Sequence, residues 1–382
     1  MTTAYALTAE RLFTGEDMLT RHALLIDDRT IVDVVPIDRV PTGVSLTDLG
    51  AGTLAPGFID AQVNGGGGIL FSGTTGVDEL AAMARAHTRH GTTALLPTLI
   101  TDTPDGMRTA IRSIREAIDA DVPGIAGVHL EGPFLSVARK GAHDPALIRP
   151  MAEDDFTAIT GAGIDTLLLT VAPETVPAET ISRLAAAGII VSLGHSDAPY
   201  ELVVAAAAAG ARGVTHLFNA QSQLQGRKPG VVGAALDTGS LWAGIIPDGI
   251  HVHPASLRLA IAAKRGPGKL FIVTDAMPTA GAPGDVFHLN GRRVTRQNGR
   301  LTLDNGTIAG SDLTMDQAVA FAVGHLGVDL AEALRMASLY PAEFLHLEGK
   351  RGRLKHGYRA DIVHLGPDLS ATATWIGGEP VR

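Results

Sequence analysis

The stretch that decides the fold reads LAPGFIDAQVNGGGG and occupies residues 54–68. Its apolar part is continuous rather than alternating, which is typical of a strand buried on both faces of a parallel sheet. Asp60, Gln62 and Asn64 stand at alternate positions near its end, and four glycines follow. Polar side chains at the end of a buried strand indicate either a functional site or an ordinary strand end. The pattern in the rest of the chain decides between these two interpretations.

Short apolar segments of the same kind recur along the chain, separated by amphipathic or alanine-rich stretches that predict helices. Together with residues 54–63 they give eight strand–helix units, which favour a closed (β/α)8 barrel over an open sheet. The predicted fold class is therefore α/β, a TIM-like barrel. The other strand candidates are 91–99, 124–131, 164–173, 189–195, 213–219, 242–247 and 269–275.

Both ends of the chain have a different pattern, with the alternation that is typical of short antiparallel strands. Residues 1–52 and 348–382 together predict a small β-sandwich domain, and residues 53–347 form the predicted barrel domain. The stretch 285–306 contains Asn-Gly turn signals and predicts a β insert near the end of the barrel.

Composition restricts the class of function. The chain has 382 residues, of which 45% are hydrophobic and 19% charged, as expected for a soluble globular protein. A formal net charge of -9 disfavours a nucleic-acid partner. No stretch predicts a membrane span or a signal peptide, so we expect a cytoplasmic protein with no membrane partner. Because cysteine is absent, a bound metal would need His, Asp or Glu ligands.

Ionisable residues stand at the ends of several predicted barrel strands. A barrel enzyme places its reacting groups at the carboxyl ends of its strands, so these side chains are expected to converge at one mouth. Five of them at equivalent positions favour a functional site over packing. They are Glu131, His195, His216, His251 and Asp275.

One glutamate and two histidines form a suitable ligand set for a catalytic zinc, because three protein ligands leave one position open for water. Glu131, His195 and His216 are therefore the predicted ligands, and the bound water would become a nucleophile near neutral pH. Asp275 has no ligand partner beside it in sequence, so we expect it to act as general base and then general acid. His251 is expected to contact the substrate.

Six motifs, taken in order, resemble those of the N-acetylglucosamine-6-phosphate deacetylase family of the amidohydrolase superfamily. They are PGFID, HLEGPF, GHSDA, THLFNA, DGIHV and TDAM. The resemblance runs from about residue 50 to residue 345, and the β-rich ends are similar to the family's small second domain. It implies a metal-dependent hydrolase that converts N-acetylglucosamine 6-phosphate to glucosamine 6-phosphate and acetate in amino-sugar metabolism.

The resemblance implies the same metal ligands and base, and it adds substrate contacts. His251 would lie near the scissile amide and His143 near the sugar hydroxyls. Asn219, Ala220 and Arg227 would hold the 6-phosphate, which suits backbone N–H groups and a guanidinium. It also implies a small sugar-phosphate substrate, a homodimer and one divalent metal ion per subunit: zinc, with iron, cobalt or manganese as alternatives.

Gln62 and Asn64 take the places where many amidohydrolases have a His-x-His pair that helps to bind a second metal. Neutral amides are poor zinc ligands, so we expect one tightly bound metal rather than two. The fourth predicted strand, 164–173, contains no lysine. A carbamylated-lysine bridge, as in hydantoinase-like relatives, is therefore not expected.

Two other functions stay open on the sequence. One is another amidohydrolase reaction, such as deamination of a ring or opening of a cyclic amide, against which Arg227 and His143 argue. The other is a non-catalytic barrel that binds a sugar phosphate, which the intact ligand set and Asp275 disfavour. The native metal, the tolerance for galactosamine or mannosamine analogues and the direction of the pathway also stay open.

Overall fold

The first part of the chain contributes strands to two different sheets. The computed structural model describes residues 4–381. The strands are β1 (Tyr5–Thr8), β2 (Arg11–Phe13), β3 (Met18–Leu19), β4 (His22–Asp27), β5 (Thr30–Pro36), β6 (Ser45–Asp48) and β7 (Thr53–Pro56). One sheet has the order β5-β4-β1-β6, whereas β7, β2 and β3 belong to a second sheet that the other end of the chain completes.

Eight parallel strands follow and form the barrel. The next strands along the chain are β8 (Phe58–Val63), β9 (Gly65–Gly66), β10 (Ile69–Leu70), β11 (Thr92–Ile100), β12 (Val128–Glu131), β13 (Leu167–Val171), β14 (Ile190–Leu193), β15 (Gly213–Val214), β16 (Trp242–Ile245) and β17 (Leu270–Ile272). All except the hairpin β9–β10 are neighbours in one sheet that runs from β8 to β17. A bridge between Val63 and Ala276 joins its two edges, which confirms the predicted barrel.

Helices cover the outside of the barrel and supply its apolar shell. α2 begins at a proline, and its Met107, Ala110, Ile111 and Ile114 are buried at the spacing of one helical face. The helices are α1 (Val77–Thr88), α2 (Pro104–Asp119), α3 (Glu153–Thr160), α4 (Ala178–Ala186), α5 (Tyr200–Ala208), α6 (Gly230–Asp237), α7 (Pro254–Ala263), α8 (Met315–Leu326), α9 (Leu330–Ala337) and α10 (Leu339–Phe344), with 3-10 turns at Ile37–Arg39 and Val137–Arg139. None of the helices within residues 4–381 is long and apolar enough to cross a membrane.

The last strands complete the second sheet and an antiparallel insert. They are β18 (Val286–Leu289), β19 (Arg292–Gln297), β20 (Arg300–Leu303), β21 (Ile308–Ser311), β22 (Ile362–Leu365), β23 (Ala371–Ile376) and β24 (Glu379–Val381). β18 to β21 form one four-stranded sheet, and the second sheet has the order β24-β23-β22-β7-β2-β3. Both ends of the chain thus form the small β-sandwich of the predicted fold class. The domain boundaries, 1–52 plus 348–382 and 53–347 with an insert near 285–306, stay predictions.

The first predicted strand, 54–63, differs from the structure in one respect. It divides at Gly57 into β7, which pairs with β22 in the sandwich, and β8, which pairs with β11 in the barrel. The division needs glycine, because a Cβ at this position would collide with the Thr93 side chain. One continuous apolar run therefore contributes one strand to the sandwich and one strand to the barrel.

Candidate metal centre and active site

The predicted site residues lie at the carboxyl ends of barrel strands, as the sequence indicated. Glu131 ends β12, whereas His195, His216 and Asp275 follow the ends of β14, β15 and β17. These last three have positive φ values of 46°, 31° and 54°. Such backbone costs of order 1–3 kcal/mol per residue and is concentrated at functional sites. The strand ends therefore turn sharply to aim these side chains at one mouth.

A cavity of about 420 Å³ opens at this mouth. Most of the predicted residues line it, and so the structure brings together groups that are far apart in sequence. They are Asn64, Glu131, His143, His195, His216, Asn219, Ala220, His251 and Asp275. Gln62 does not line this cavity but is buried beside it, 2% exposed. The arrangement places the candidate ligands, the candidate base and the candidate substrate contacts around one space.

Three ligand atoms converge at the base of the cavity. His195 Nε2 lies 3.3 Å from Glu131 Oε1, His216 Nε2 lies 2.9 Å from the same oxygen, and the two nitrogens are 3.1 Å apart. Ligands on a tetrahedral ion with bonds of about 2.1 Å are separated by roughly 3.4 Å, so this triangle has the size that such an ion needs. The residues present therefore fit a divalent metal.

The protonation of His195 also suits a metal ligand. Its Nδ1 lies 2.8 Å from the carbonyl oxygen of Arg139, which only accepts a hydrogen bond, so Nδ1–H is the donor. Neutral His195 then has its lone pair on Nε2, towards Glu131. His216 Nδ1 is buried without a hydrogen-bond partner among the described residues.

The electrostatics of the three ligands reinforce each other. Burial works against the charged form of Glu131, but the adjacent imidazoles of His195 and His216 hold its pKa well below the usual range. Burial likewise disfavours the imidazolium of His216, but the hydrogen bond and charge of Glu131 raise its pKa. A cation bound beside the ionised Glu131 would therefore take the place of the proton that this carboxylate favours on His216.

Asp275 lies close to this centre in a different environment. Its pKa is raised, first by burial and then by the charge of Glu131. Gln62 Nε2 donates to Asp275 Oδ1 at 3.1 Å, and Asn64 Nδ2 donates to the same oxygen at 2.6 Å. A buried carboxylate with a raised pKa at the edge of a cavity is suited to accept and release a proton.

Asp248 orients His251, a role that no sequence motif indicated. His251 Nδ1 lies 2.6 Å from Asp248 Oδ2, and because a carboxylate only accepts, Nδ1–H is the donor. Burial opposes the charge of Asp248, but the hydrogen bond from His251 holds its pKa below the usual range. The backbone N–H groups of Ile250 and His251 bind Asp248 Oδ1. His251 is left with Nε2 for the cavity that it lines.

Asp248→Asn is expected to lower kcat/KM by at least about 10-fold, because an amide can reverse the orientation and tautomer of His251. Steady-state kinetics on the purified variant measure this. Asp105→Asn is the matched control, since Asp105 is exposed on α2 and away from the cavity, and it should behave as the wild type. Wild-type kinetics for Asp248→Asn would show that His251 does not depend on the pair.

His143 is a neutral hydrogen-bond donor in this structure. Its Nδ1 accepts from the Thr101 backbone N–H at 3.3 Å and lies 2.7 Å from Thr101 Oγ1, so Nε2 holds the proton. Burial, followed by the charge of His195, lowers the pKa of His143 to about 3. Its Nε2 is 3.8 Å from Glu131 Oε2, at the cavity wall. Thr101 is a further residue that sequence reasoning missed.

The structure does not bring Arg227 into the cavity with the other predicted residues. Arg227 is exposed in the loop between β15 and α6, where it lines a neighbouring cavity of about 450 Å³. Arg139 lines both cavities and pairs with Asp197 at 2.8 Å. It stands four residues before His143 in SVARKGAH, which is the signal that sequence reasoning could have used.

Comparisons with known proteins agree with this geometry. Residues 53–381 match the model of the Amidohydrolase family, and residues 4–54 match the NagA composite domain. N-acetylgalactosamine-6-phosphate deacetylase of Shewanella sp. (strain ANA-3) is 45% identical over 331 residues, covering 87% of this chain and 84% of that protein. N-acetylglucosamine-6-phosphate deacetylase of Haemophilus influenzae is 37% identical over 380 residues, with 98% of each chain covered.

A solved structure shares the whole architecture. N-acetylglucosamine-6-phosphate deacetylase from Pasteurella multocida superposes with a TM-score of 0.95, at 37% identity and with 99% of each chain covered. The resemblance that the six motifs indicated is thereby confirmed. The chain belongs to the amidohydrolase family, whose members are metal-dependent, and it has a buried Glu-His-His group able to hold the metal.

Proposed function

We propose that this protein is a metal-dependent hydrolase that removes the N-acetyl group of N-acetylglucosamine 6-phosphate in amino-sugar metabolism. The products are glucosamine 6-phosphate and acetate. The observation that supports this most is the convergence of Glu131, His195 and His216 beside Asp275 in one cavity. The relatives named for deacetylation of amino-sugar phosphates, which match nearly the whole chain, support the same substrate class.

The proposed mechanism divides the work between a metal and one carboxylate. Glu131, His195 and His216 would hold a divalent ion, which would supply the Lewis acidity for activating water and the amide carbonyl; we propose zinc, with iron, cobalt or manganese as alternatives. Asp275 takes the proton from the attacking water. It then delivers that proton to the amide nitrogen, so that the amine leaves neutral rather than as an anion.

Other cavity residues are proposed to hold the substrate. His251 contacts the substrate at the scissile amide, and neutral His143 donates from Nε2 to a sugar hydroxyl. Asn219 and Ala220 are proposed to bind the 6-phosphate, because both line the cavity at the turn after β15. Arg227 is the proposed guanidinium for that phosphate. We also propose a homodimer, in which the exposed loop that contains Arg227 can approach the phosphate site of the second copy.

Arg227→Gln is expected to raise KM for the phosphorylated sugar by about 10-fold or more and to change kcat by less than about twofold. A charged hydrogen bond contributes about 1.5–3 kcal/mol, and this one lies away from the reacting amide. Initial rates over a range of substrate concentrations measure both constants. Arg112→Gln, an exposed arginine on α2, is the matched control and should leave KM unchanged. An unchanged KM in Arg227→Gln would remove this residue from the phosphate site.

A second candidate substrate is the C4 epimer, N-acetylgalactosamine 6-phosphate. The Shewanella relative at 45% identity is named for that sugar, so the epimer is a real competitor. The test is acetate release from both epimers and from the mannosamine isomer, compared as kcat/KM. The proposal expects the glucosamine substrate to have the highest value, and a higher value for the galactosamine epimer would reassign the substrate within the same reaction.

A further inference from the structure

Two buried amides hold the same oxygen of Asp275. Asn64 Nδ2 donates to Oδ1 at 2.6 Å, and Gln62 Nε2 donates to Oδ1 at 3.1 Å. Both amide side chains belong to residues that are only 2% exposed, so water does not compete for these bonds. The amide orientations are fixed as well, because an amide oxygen turned towards the carboxylate would be repelled.

The two carboxylate oxygens of Asp275 differ in the hydrogen bonds that they accept. Both hydrogen bonds that its carboxylate receives from side chains in residues 4–381 fall on Oδ1. Asp275 itself lines the cavity and is 9% exposed. One oxygen is therefore fixed by the protein, and Oδ2 is left to face whatever enters the cavity.

The backbone beneath the amides is also fixed. Gln62 and Asn64 lie where the two edges of the barrel meet: Asp275 N–H donates to the Gln62 carbonyl at 3.0 Å, and Asn64 N–H donates to the Ala276 carbonyl at 2.8 Å. Asp60 completes the junction, since its buried carboxylate accepts from Thr274 Oγ1 at 2.5 Å. The two amides therefore approach Asp275 from a rigid base, as precise positioning requires.

We propose that Gln62 and Asn64 are positioning residues that clamp Oδ1 of Asp275 and leave Oδ2 to move the proton. This inference rests on the proposed function. It gives the two amides at the His-x-His places an active part in the reaction, in contrast to positions that have merely lost a metal. Two N–H donors supply, without a second cation, the orientation that the proton-transferring carboxylate needs.

Gln62 and Asn64 differ in one contact, so substitutions at the two positions should have different effects. Gln62 Nε2 also donates to Glu131 Oε1, the candidate metal ligand, at 3.1 Å. No such bond to a metal ligand is present for the Asn64 side chain among the described residues. Loss of Asn64 should therefore affect proton transfer alone, whereas loss of Gln62 should weaken both proton transfer and metal binding.

The first test is Asn64→Leu, which keeps the approximate shape of the side chain and removes the N–H, with Asn64→Ala as a second variant. We expect kcat to fall about 10- to 100-fold, the range seen when outer hydrogen-bond partners of a site are removed, with KM within about threefold. Metal content should stay at the wild-type value. Gln62→Ala should show the same loss of kcat together with a lower metal content.

Gln297→Ala is the matched control, because Gln297 is an exposed amide on β19, and it should have wild-type constants. Thermal unfolding establishes that each variant is folded before its kinetics are compared. A kcat within about twofold of wild type in a folded Asn64 variant would overturn the clamp, and so would a raised KM with unchanged kcat. Wild-type protein that releases no acetate would instead contradict the proposed function, so the two failures are distinguishable.

Discussion

Asp275→Asn is expected to lower kcat for deacetylation by at least about 1,000-fold, with KM within about threefold. The physical reason is that an amide can neither accept the proton of the attacking water nor return it to the leaving nitrogen. General acid–base catalysis contributes about 10²–10⁴-fold, and here one side chain has both roles. Acetate release under saturating substrate measures the loss directly.

The asparagine variant should otherwise be intact. Its remaining carbonyl oxygen can still accept from Gln62 and Asn64, which now donate to Oδ1. Metal content is therefore expected to equal that of the wild type, and that measurement is the control. If Asp275→Asn keeps more than a few per cent of wild-type kcat with its metal bound, Asp275 is not the base.

Removal of the metal is expected to reduce activity to below about 1%, and one equivalent of a divalent ion per chain should restore it. The loss follows because water and the amide carbonyl are both unreactive without a Lewis acid. His216→Ala should produce the same loss irreversibly, since it deletes one of three ligand atoms that lie within 4.8 Å of one another. Elemental analysis and acetate release before and after dialysis measure the effect.

His129 provides the matched control for the histidine substitution. It is as buried as His216 but lies inside the barrel, where its ring nitrogens are 3.2 Å from Thr98 Oγ1 and 2.7 Å from Thr170 Oγ1. His129→Gln should keep the metal and most of the activity while lowering the melting temperature. A metal-free His129 variant, or an active His216→Ala variant, would contradict the ligand assignment.

The sequence predicted the barrel because each of its strands is a short, continuous apolar run followed by a helix. It did not predict the division of residues 54–63 at Gly57. β7 pairs with β22, which lies some 300 residues later in the chain, and no local pattern reveals such a long-range pairing. Most barrel strands are also shorter than predicted, since β15 comprises only Gly213–Val214 and β17 only Leu270–Ile272.

In the candidate site, as in the fold, local sequence patterns were predictive, whereas contacts between distant parts of the chain were not. Glu131, His195 and His216 were predictable, because ionisable residues at strand ends are unusual and their side chains form a known ligand set. Asp248 and Thr101 were missed, because an aspartate or threonine in a loop has no distinguishing pattern until its hydrogen-bond partner is known. Their roles depend on how separate loops meet.

For Arg227 the sequence indicated the type of residue but not its position relative to the cavity. The motif predicted a phosphate ligand, and the structure places this arginine in a neighbouring cavity, with Arg139 between the two spaces. Sequence spacing fixed the residue type but did not fix the position of an exposed loop relative to the cavity. The clamp formed by Gln62 and Asn64 was equally hidden, since the sequence predicted that both residues lie beside the metal or at former metal positions but did not reveal their hydrogen bonds to Asp275.

Counting the metal and following acetate release on one purified sample would decide whether this protein is a mononuclear, metal-dependent deacetylase. The substrates are N-acetylglucosamine 6-phosphate and the unphosphorylated sugar. We expect about one metal per chain, rapid acetate release from the phosphorylated sugar and a much lower kcat/KM for the unphosphorylated one. Two tightly bound metals would contradict the role given to Gln62 and Asn64, and a metal-loaded sample that releases no acetate would contradict the deacetylase itself.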